Sequence, residues 1–488
     1  MRSLTIERTM TIILFALIFA LAARVPTDTD TWWHLRSGEH ILTEGFIYAD
    51  PFSHTFAGQP WVDHSWGSQL ILYGFWRVGG NLGLTVYMAG LATAGMYMIF
   101  RMSSGSAYTR AFAIVLGAAA AAVFWSPRPQ MISFFLSTVV LYLIYLYKYR
   151  QLDRLWLLPP LFALWGNLHA GFSIGFIFLS LFIAGEGLAN VFSPRAENLV
   201  TWRRLIKVIL VSVISGAALV INPYGVQMLL VPFQTVGIGA LRQFIQEWNS
   251  PNFQERQTWP FIMLLFGTLG VIGASGKRLS WTDWLLLTGT GFLSLTAGRN
   301  IAVFAVVATP IFANHLDAAL AARGWTLRPV ARATPMMARL NAAIVALVLL
   351  GAAAKVLLVL DPRTVSEAQR EFLPVEAVEF MAETGTPREL FNSYNWGGYL
   401  MFALPDMPVF VDGRTDLYGD EFLLRWRNTA FGGAGWRETL DEYGINTVLV
   451  ETGSGLALNL ASEAGWQAAY ADRLASVFIR SNSVPAGD

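Results

Sequence analysis

Apolar runs of about 15 to 23 residues recur along the first three quarters of the chain, near residues 8–24, 82–102, 108–125, 130–149, 154–168, 170–192, 205–221, 260–276, 281–297, 300–318 and 341–360. Each is close to the length a helix needs to cross the hydrocarbon layer of a bilayer, so the pattern predicts about eleven spans. The first run, Met10 to Ala23, ends in the small-x-small sequence Ala20, Leu21, Ala22 of a cleavable signal; the spans that follow favour a retained first span. Between residues 25 and 80 the apolar periodicity breaks up among Asp, His and Trp, which reads as an interfacial outer loop. After residue 361 the character changes again. "ELFNSY", "MPVFVDG", "NTVLVE" and "ASVFIR" read as short strands alternating with helix-like "PVEAVEFMAETG", "WGGYLMFAL", "GDEFLLRWRNTAF" and "WRETLDEYG". The expected architecture is therefore a polytopic α-helical membrane protein over residues 1–361, including the loop 25–80, followed by a soluble α/β domain over 362–488. Strand, helix, strand order predicts parallel pairing, with Asn395 and Trp396 after the first strand and Asp412, Gly413 and Arg414 after the second at its ligand-facing edge.

The basic residues set the sidedness. With the N-terminus inside, the inner loops hold Arg101 and Arg110; Lys148, Arg150 and Arg154; Arg195, Arg203, Arg204 and Lys207; Lys277 and Arg278; and Arg323, Arg328, Arg332 and Arg339. This is the positive-inside bias, and an odd number of spans then places the C-terminal domain outside. Pro159, Pro160, Gly166 and Asn167 interrupt the fifth and sixth runs. Merging those runs would put the basic 323–339 loop outside, so they are read as two spans.

Composition agrees. Of 488 residues 54% are hydrophobic and 14% charged, and the mean hydropathy is +0.46, more apolar surface than a soluble domain could bury. The 34 basic and 33 acidic residues give no net field to recruit nucleic acid. The absence of cysteine excludes disulfide and thiolate chemistry.

On this topology the unusual polar residues share the outer side: Asp28, Asp30, His34, Asp50, His54, Asp63 and His64 in the first loop, then Arg128, Asn167, His169, Glu247, Trp248, Arg299 and Asn300 at later outer ends. Ionisable groups at membrane depth are costly unless paired or lining a wet cavity, so the cluster suggests a site at the outer boundary. Plainer readings stand beside this one. Asp30 and Asp63 could cap helices; Trp32, Trp33, Trp61 and Trp66 could anchor at headgroup depth; His169 could be satisfied between helices; Arg128 and Arg299 could clamp phosphate or snorkel to headgroups. Asp30 and His34, four apart, could share one proton or one divalent ion. The two guanidinium groups add what is needed to hold a phosphate-linked substrate beside a general base. No phosphate-cradling glycine loop, HExxH or GxSxG sequence occurs, which leaves nucleotide hydrolysis, zinc proteolysis and serine esterase chemistry unsupported.

"DTDTWWHLRSGEHILTEGFIYADPFSHTFAGQPW" resembles the first outer loop of GT-C-fold glycosyltransferases, notably the catalytic subunits of oligosaccharyltransferases. "SYNWGGYL" followed by "PVFVDGRTDLYG" is similar in order and spacing to that family's WWDYG segment and the strand after it, and "SPRPQ", "NLHAGF", "NPYG" and "GRN" resemble bacterial glycosyltransferase-like multispan proteins. The resemblance implies a polyprenyl-phosphate-linked sugar donor, a reaction outside the membrane, and an envelope glycan, lipid or protein as acceptor. It puts the acidic first-loop residue at Asp30 or Asp28, as base or metal ligand, and the lipid phosphate at Arg128 or Arg299. His169, Asn167, His34, Asp63, His64, Glu247, Trp396, Asp412 and Arg414 are the further binding candidates. A divalent cation, Mg or Mn, on Asp30, His34 and Glu247 is left open. In "YNWGGYL" a glycine pair replaces the motif's aspartate, so sequon N-glycosylation is not expected. The expected protein is a multi-pass transferase of the bacterial inner membrane; the alternatives are a non-catalytic polyprenyl-lipid-binding or envelope-assembly protein and, with less support, a flippase.

Overall fold

The protein's structure, a computed structural model, describes residues 4–239, 245–327 and 333–481; Arg328 and Arg332 of the basic inner loop lie outside them. The chain forms two compact units. One comprises Met1–Arg24, Thr85–Leu229 and Ile245–Val359; the other comprises Val25–Leu84, Leu230–Phe244 and Leu360–Asp488. The first loop thus folds in one unit with the C-terminal segment.

A helix covers each apolar run. Seven helices among the described residues are long and apolar enough to cross a membrane: Trp66–Met102, Ala107–Phe124, Gln130–Tyr149, Phe172–Phe192, Arg256–Ser275, Gly298–Ala321 and Pro335–Val359. Ile6–Ala22, Leu155–Leu168, Trp202–Ala218 and Trp281–Thr296 are shorter. Leu340, Leu347, Leu350 and Leu357 of the Pro335–Val359 helix are exposed, a surface suited to lipid and not to water. The chain is a polytopic helical membrane protein with a small C-terminal sheet domain.

Two features explain the close helix packing. Small residues let backbones approach: a Cβ at Gly117 would lie 2.0 Å from Thr309 Oγ1, and one at Gly185 would lie 2.5 Å from Thr282 Cα. The fifth and sixth runs are separate helices, Leu158–Leu168 and Phe172–Phe192, with extended backbone at His169 between them. Pro159 and Pro160 sit in the first turn of the former, where a missing N–H leaves no ladder bond unmade.

Lys148 and Glu186 form a fully buried ion pair, and Thr282 bonds to both. The second Glu186 oxygen accepts from the Val200 N–H at 2.9 Å, so one carboxylate ties three helices to the loop after residue 192.

In the second unit four strands, β1 (Leu390–Asn392), β2 (Thr447–Glu451), β3 (Trp466–Ala471) and β4 (Ala475–Arg480), lie in the order β1-β2-β4-β3. β1 and β2 are parallel, with Leu390 opposite Thr447, so the parallel partner of "ELFNSY" is "NTVLVE" and not "MPVFVDG", and Asp412, Gly413 and Arg414 do not follow a sheet strand. β4 runs antiparallel to both of its neighbours, so the sheet is mixed. Two strand expectations need correction. "MPVFVDG" is not a sheet strand, because its backbone is engaged elsewhere: Asn392 Oδ1 accepts from the Phe410 N–H at 2.8 Å, Asn392 Nδ2 donates to the Val411 carbonyl at 2.8 Å, and Val409 exchanges bonds with Phe52 and His54. The hairpin strand β3, "WQAAYA", carries too little apolar alternation to announce itself.

The first loop is built into this sheet domain. Ser53 bridges Val409, His54 Nε2 meets the Leu390 carbonyl at 2.9 Å, and Thr55 Oγ1 donates to the Phe410 carbonyl at 2.7 Å. Trp33, Ile47, Phe52 and Trp61 share a core with Leu390, Trp396, Leu400 and Leu449. This corrects the reading of these tryptophans as headgroup anchors: Trp32, Trp33 and Trp61 are buried in protein.

Removing one member of the buried pair leaves the other charge stranded. Lys148→Met should destabilise the protein by about 3–5 kcal/mol, read as a fall in the thermal unfolding midpoint in detergent. Lys148→Met combined with Glu186→Gln, which keeps an acceptor for the Val200 N–H, should recover most of the loss; a double variant no better than the single would refute a charge-pairing role.

Candidate functional site

The second unit brings the two separated motifs together. Asp30 opens the helix Asp30–Thr43. The Asp28 carboxylate accepts from the Asp30 N–H at 3.0 Å, so the turn-capping bond at this helix start belongs to Asp28. Gly413, in "VDGRTD", lies against Asp30 and Trp33: a Cβ there would fall 2.2 Å from Asp30 Oδ1 and 3.0 Å from Trp33 Nε1. The Trp33 indole N–H is buried with no hydrogen-bond partner among the described residues. Tyr394 belongs to the same neighbourhood, its hydroxyl 2.6 Å from Thr415 Oγ1. Burial, then the nearby Asp30 carboxylate, pushes its phenol well up, so it stays protonated. Sequence reading passed over Tyr394; its place just before the glycine pair was the available signal.

The glycine pair Gly397-Gly398 is a packing device. A Cβ at Gly397 would lie 2.0 Å from the Val411 carbonyl oxygen, and one at Gly398 2.9 Å from the Thr29 carbonyl oxygen. The Tyr394–Ala403 helix therefore sits directly on the start of the Asp30–Thr43 helix and on the 411–412 backbone, with no room for a side chain at either position.

Several candidates are structural partners here. Trp396 is buried and its indole donates to the Phe372 carbonyl at 3.0 Å. Arg414 is fully buried: its guanidinium grips Asp412 through Nε and NH2 at 2.8 and 2.6 Å and reaches Asp50 at 2.5 Å, while the Tyr418 hydroxyl donates to Asp412 at 2.7 Å. Burial alone would lower the Arg414 pKa, but Asp412, Tyr418 and Asp50 hold it well above its usual value. The network fastens the Asp50-Pro51 turn to the segment carrying Gly413. His64 Nδ1 lies 2.8 Å from Ser65 Oγ.

Asp63 is different. It is buried, with one oxygen accepting from Gln69 Nε2 at 2.7 Å and from the Ser65 N–H at 3.3 Å, and the other without a partner among the described residues. Burial raises its pKa to about 7, the Ser65 and Gln69 bonds offsetting only part of that and Asp416 adding to it. Gln69 Nε2 is also 3.5 Å from Nδ1 of the buried His34, whose ring stacks on Trp33 at 3.5 Å between centroids. Asp416, bonded by the Trp61 indole at 3.1 Å, was absent from the sequence-based candidates.

In the first unit, Arg128 and Arg299 converge on Glu247, with nitrogen-to-oxygen distances of 3.4 and 3.8 Å. Ser126 Oγ accepts from Arg128 Nε at 3.2 Å, and Arg299 stacks over Trp248 at 4.1 Å. The Gly298 N–H donates to the Asn249 carbonyl at 2.9 Å, tying the "GRN" turn to the loop that carries Glu247. All three charged side chains retain partial exposure, at 14%, 28% and 29% for Arg128, Arg299 and Glu247. His169 Nδ1 accepts from the Gly171 N–H at 3.0 Å and is 2.7 Å from Ser133 Oγ, which also accepts from the Trp165 indole; this network places the ring proton on Nε2. Asn167 holds the Ala163 and Ile221 carbonyls.

Among the described residues no group of three or more His, Asp or Glu side chains is arranged to hold a metal ion. Glu247 does not suit a divalent cation, since two guanidinium groups already face its carboxylate and would repel one.

No family model matches the chain, and no curated protein sequence does. Solved structures do match. The archaeal oligosaccharyltransferase AglB from Archaeoglobus fulgidus, in complex with an inhibitory peptide and a dolichol-phosphate, superposes with a TM-score of 0.56 at 12% identity, covering 98% of this chain and 75% of that one. ArnT from Cupriavidus metallidurans bound to undecaprenyl phosphate gives 0.51 at 14% identity, over 97% and 98% of the two chains. The arabinofuranosyltransferase AftD from Mycobacteria gives 0.50 at 15% identity, over 98% of this chain and 40% of that one. The neighbours are GT-C-fold glycosyltransferases, and the chain has their fold.

Asp63 gives a pH test with a definite sign. Its folded pKa of about 7 lies above the ordinary 3.8, so the folded state binds the extra proton. Its contribution is fully present below the ordinary carboxylate pKa and is lost as pH rises through the folded value. The unfolding midpoint should therefore decline between about pH 4 and 7. Asp63→Asn should flatten that slope, and an unchanged slope would contradict the assignment.

Proposed function

We propose that this protein is a GT-C-type glycosyltransferase that moves a sugar from a polyprenyl-phosphate-linked donor to an envelope acceptor on the outer side of a bacterial inner membrane. Eleven crossings, with the N-terminus in the cytoplasm and the sheet domain outside, complete the reading. The observation that carries it is the pair of partly exposed guanidinium groups converging on one carboxylate at helix ends. Two forked, permanently charged donors spaced around one anion are what a phosphate requires.

In the proposed reaction an acceptor hydroxyl oxygen attacks the anomeric carbon from the face opposite the phosphate. The bond from that carbon to the phosphate oxygen breaks, and polyprenyl phosphate leaves with the bonding pair. The phosphate passes from a singly charged diester to a monoester with one more negative charge. Arg128 and Arg299 are assigned to it because their attraction grows as that charge develops. Glu247 then acts as an internal substitute anion that holds the guanidinium groups in place until phosphate displaces it. Asp30 is assigned the proton lost by the acceptor hydroxyl. Supporting this choice over Asp28, Asp28 has the turn bond at the helix start, and Asp30 lies beside Gly413, where no side chain intervenes. AglB and ArnT were solved with dolichol-phosphate and undecaprenyl phosphate, which supports a lipid phosphate as the anion.

Purified protein incubated with labelled polyprenyl-phosphate sugars and an envelope extract as acceptor should release lipid phosphate. Asp30→Asn should lower the rate about 10²-fold or more with little change in donor KM. Arg299→Gln should lower kcat/KM with an unaltered fold, checked by its unfolding midpoint. Release that persists undiminished in Asp30→Asn would remove Asp30 from the role; a non-catalytic lipid-binding protein would bind donor and release nothing.

A further inference from the structure

The second unit contains a cavity of about 440 Å³ whose lining carries no ionisable group other than a tyrosine hydroxyl. It opens where the Trp66–Met102 helix breaks at Gly80, which adopts a left-handed φ of 52°. The break is enforced by packing, since a Cβ at Gly83 would lie 1.8 Å from the Phe75 carbonyl oxygen. Asn81 and Leu82 enter the wall from this break, Leu360 and Ser366 from the other side, with Gln369 and Tyr399 completing it.

The chemistry of that wall is specific. Asn81 Oδ1 is buried and has no hydrogen-bond partner among the described residues. The Gln369 amide is oriented by donating to the Pro26 carbonyl at 3.4 Å. The Tyr399 ring is fixed edge-on against Trp32 at 5.4 Å. Burial, followed by Glu379 and Glu376, raises its phenol, which keeps it a donor. Two carboxamides, an aliphatic hydroxyl and a phenol offer both donors and acceptors without a charge. An ionic ligand would be desolvated with no counter-charge in the lining, and an acyl chain would leave the Asn81 carbonyl oxygen unpaired. Hydroxyl groups, each both donor and acceptor, match all four side chains, and the volume falls in the range of about 300–1,000 Å³ usual for small-ligand pockets.

We infer that this cavity binds a neutral saccharide, held by Asn81, Ser366, Gln369 and Tyr399. The inference deepens the transferase reading by giving the acceptor its chemistry. It is measured as binding, so it stands or falls without turnover. The saccharide is free or borne on a lipid whose chain runs past Leu82, which is 50% exposed.

Saturation-transfer NMR on the full chain in phospholipid nanodiscs, with the methyl glycosides of glucose, mannose and galactose as probes and methyl glucuronide as the anionic control, tests it. At least one neutral glycoside should receive saturation and the glucuronide should not. Asn81→Leu and, as a milder change, Ser366→Ala should each weaken the signal about fivefold, the loss of about one hydrogen bond, with unfolding midpoints close to wild type. The decyl glycoside of the responding sugar separates the sources: tighter binding that Leu82→Ser abolishes identifies a lipid-borne saccharide, and equal binding identifies a free one. No signal from any neutral glycoside, an equal signal from the glucuronide, or signals unchanged in both variants would overturn the proposal. Failure of the donor assay with binding intact would overturn only the transferase reading.

Discussion

A charge removed from water must find its partner inside the protein, and this constraint separates the chain's structural ions from its candidate functional ones. Lys148 and Glu186 meet it together: both are buried, Lys148 also donates to the Thr282 hydroxyl, and the Thr282 hydroxyl and the Val200 N–H donate to the Glu186 carboxylate. Arg414 meets it as fully with Asp50, Asp412 and Tyr418. Exchanging a partner in either network would strand a buried ion at a cost of several kcal/mol, about 3–5 by general experience. The ion pairs that Arg128 and Arg299 make with Glu247 are longer, at 3.4 and 3.8 Å, and all three side chains are partly exposed. On the proposed function, this is the group that exchanges its carboxylate for a phosphate.

A second organising element is the removal of side chains where backbones must meet. Gly397, Gly398 and Gly413 let the Tyr394–Ala403 helix, the start of the Asp30–Thr43 helix and the 411–414 segment share one small volume. Asp30 and Gly413 lie almost 400 positions apart in the sequence, yet the packing makes them neighbours.

Sequence patterning was a good guide to the helices, because a run long enough to cross a bilayer is marked by every residue in it. It was a poor guide to what those residues face. Tryptophan collects both at headgroup depth and in protein cores, and Trp33 and Trp61 belong to the latter, a distinction that apolar character alone cannot make. The "MPVFVDG" segment has strand composition, but its hydrogen bonds go to Phe52, His54 and the Asn392 side chain, pairings across long sequence distances that leave no local trace. Asp412 and Arg414 were legible as a charged motif, but the strand expected to carry them does not form, and their mutual saturation became visible only with Asp50 in place. Arg128, Glu247 and Arg299 were each legible as candidates, whereas their convergence was a matter of helix ends coming together. Asn81 carried no sequence signal, since its role depends on a helix break set by the fit of Gly83 against Phe75.

The claim on which the account rests is that Glu247 occupies the place of a phosphate. Binding of a short-chain polyprenyl phosphate to the purified protein in nanodiscs, followed by titration at fixed ionic strength, tests it most directly. If the carboxylate is an internal competitor, Glu247→Gln should bind the lipid phosphate about fivefold more tightly than wild type, the equivalent of roughly 1 kcal/mol released from a partly exposed ion pair. Affinity that is unchanged or weaker in Glu247→Gln, with Arg128→Gln and Arg299→Gln binding as wild type does, would contradict it.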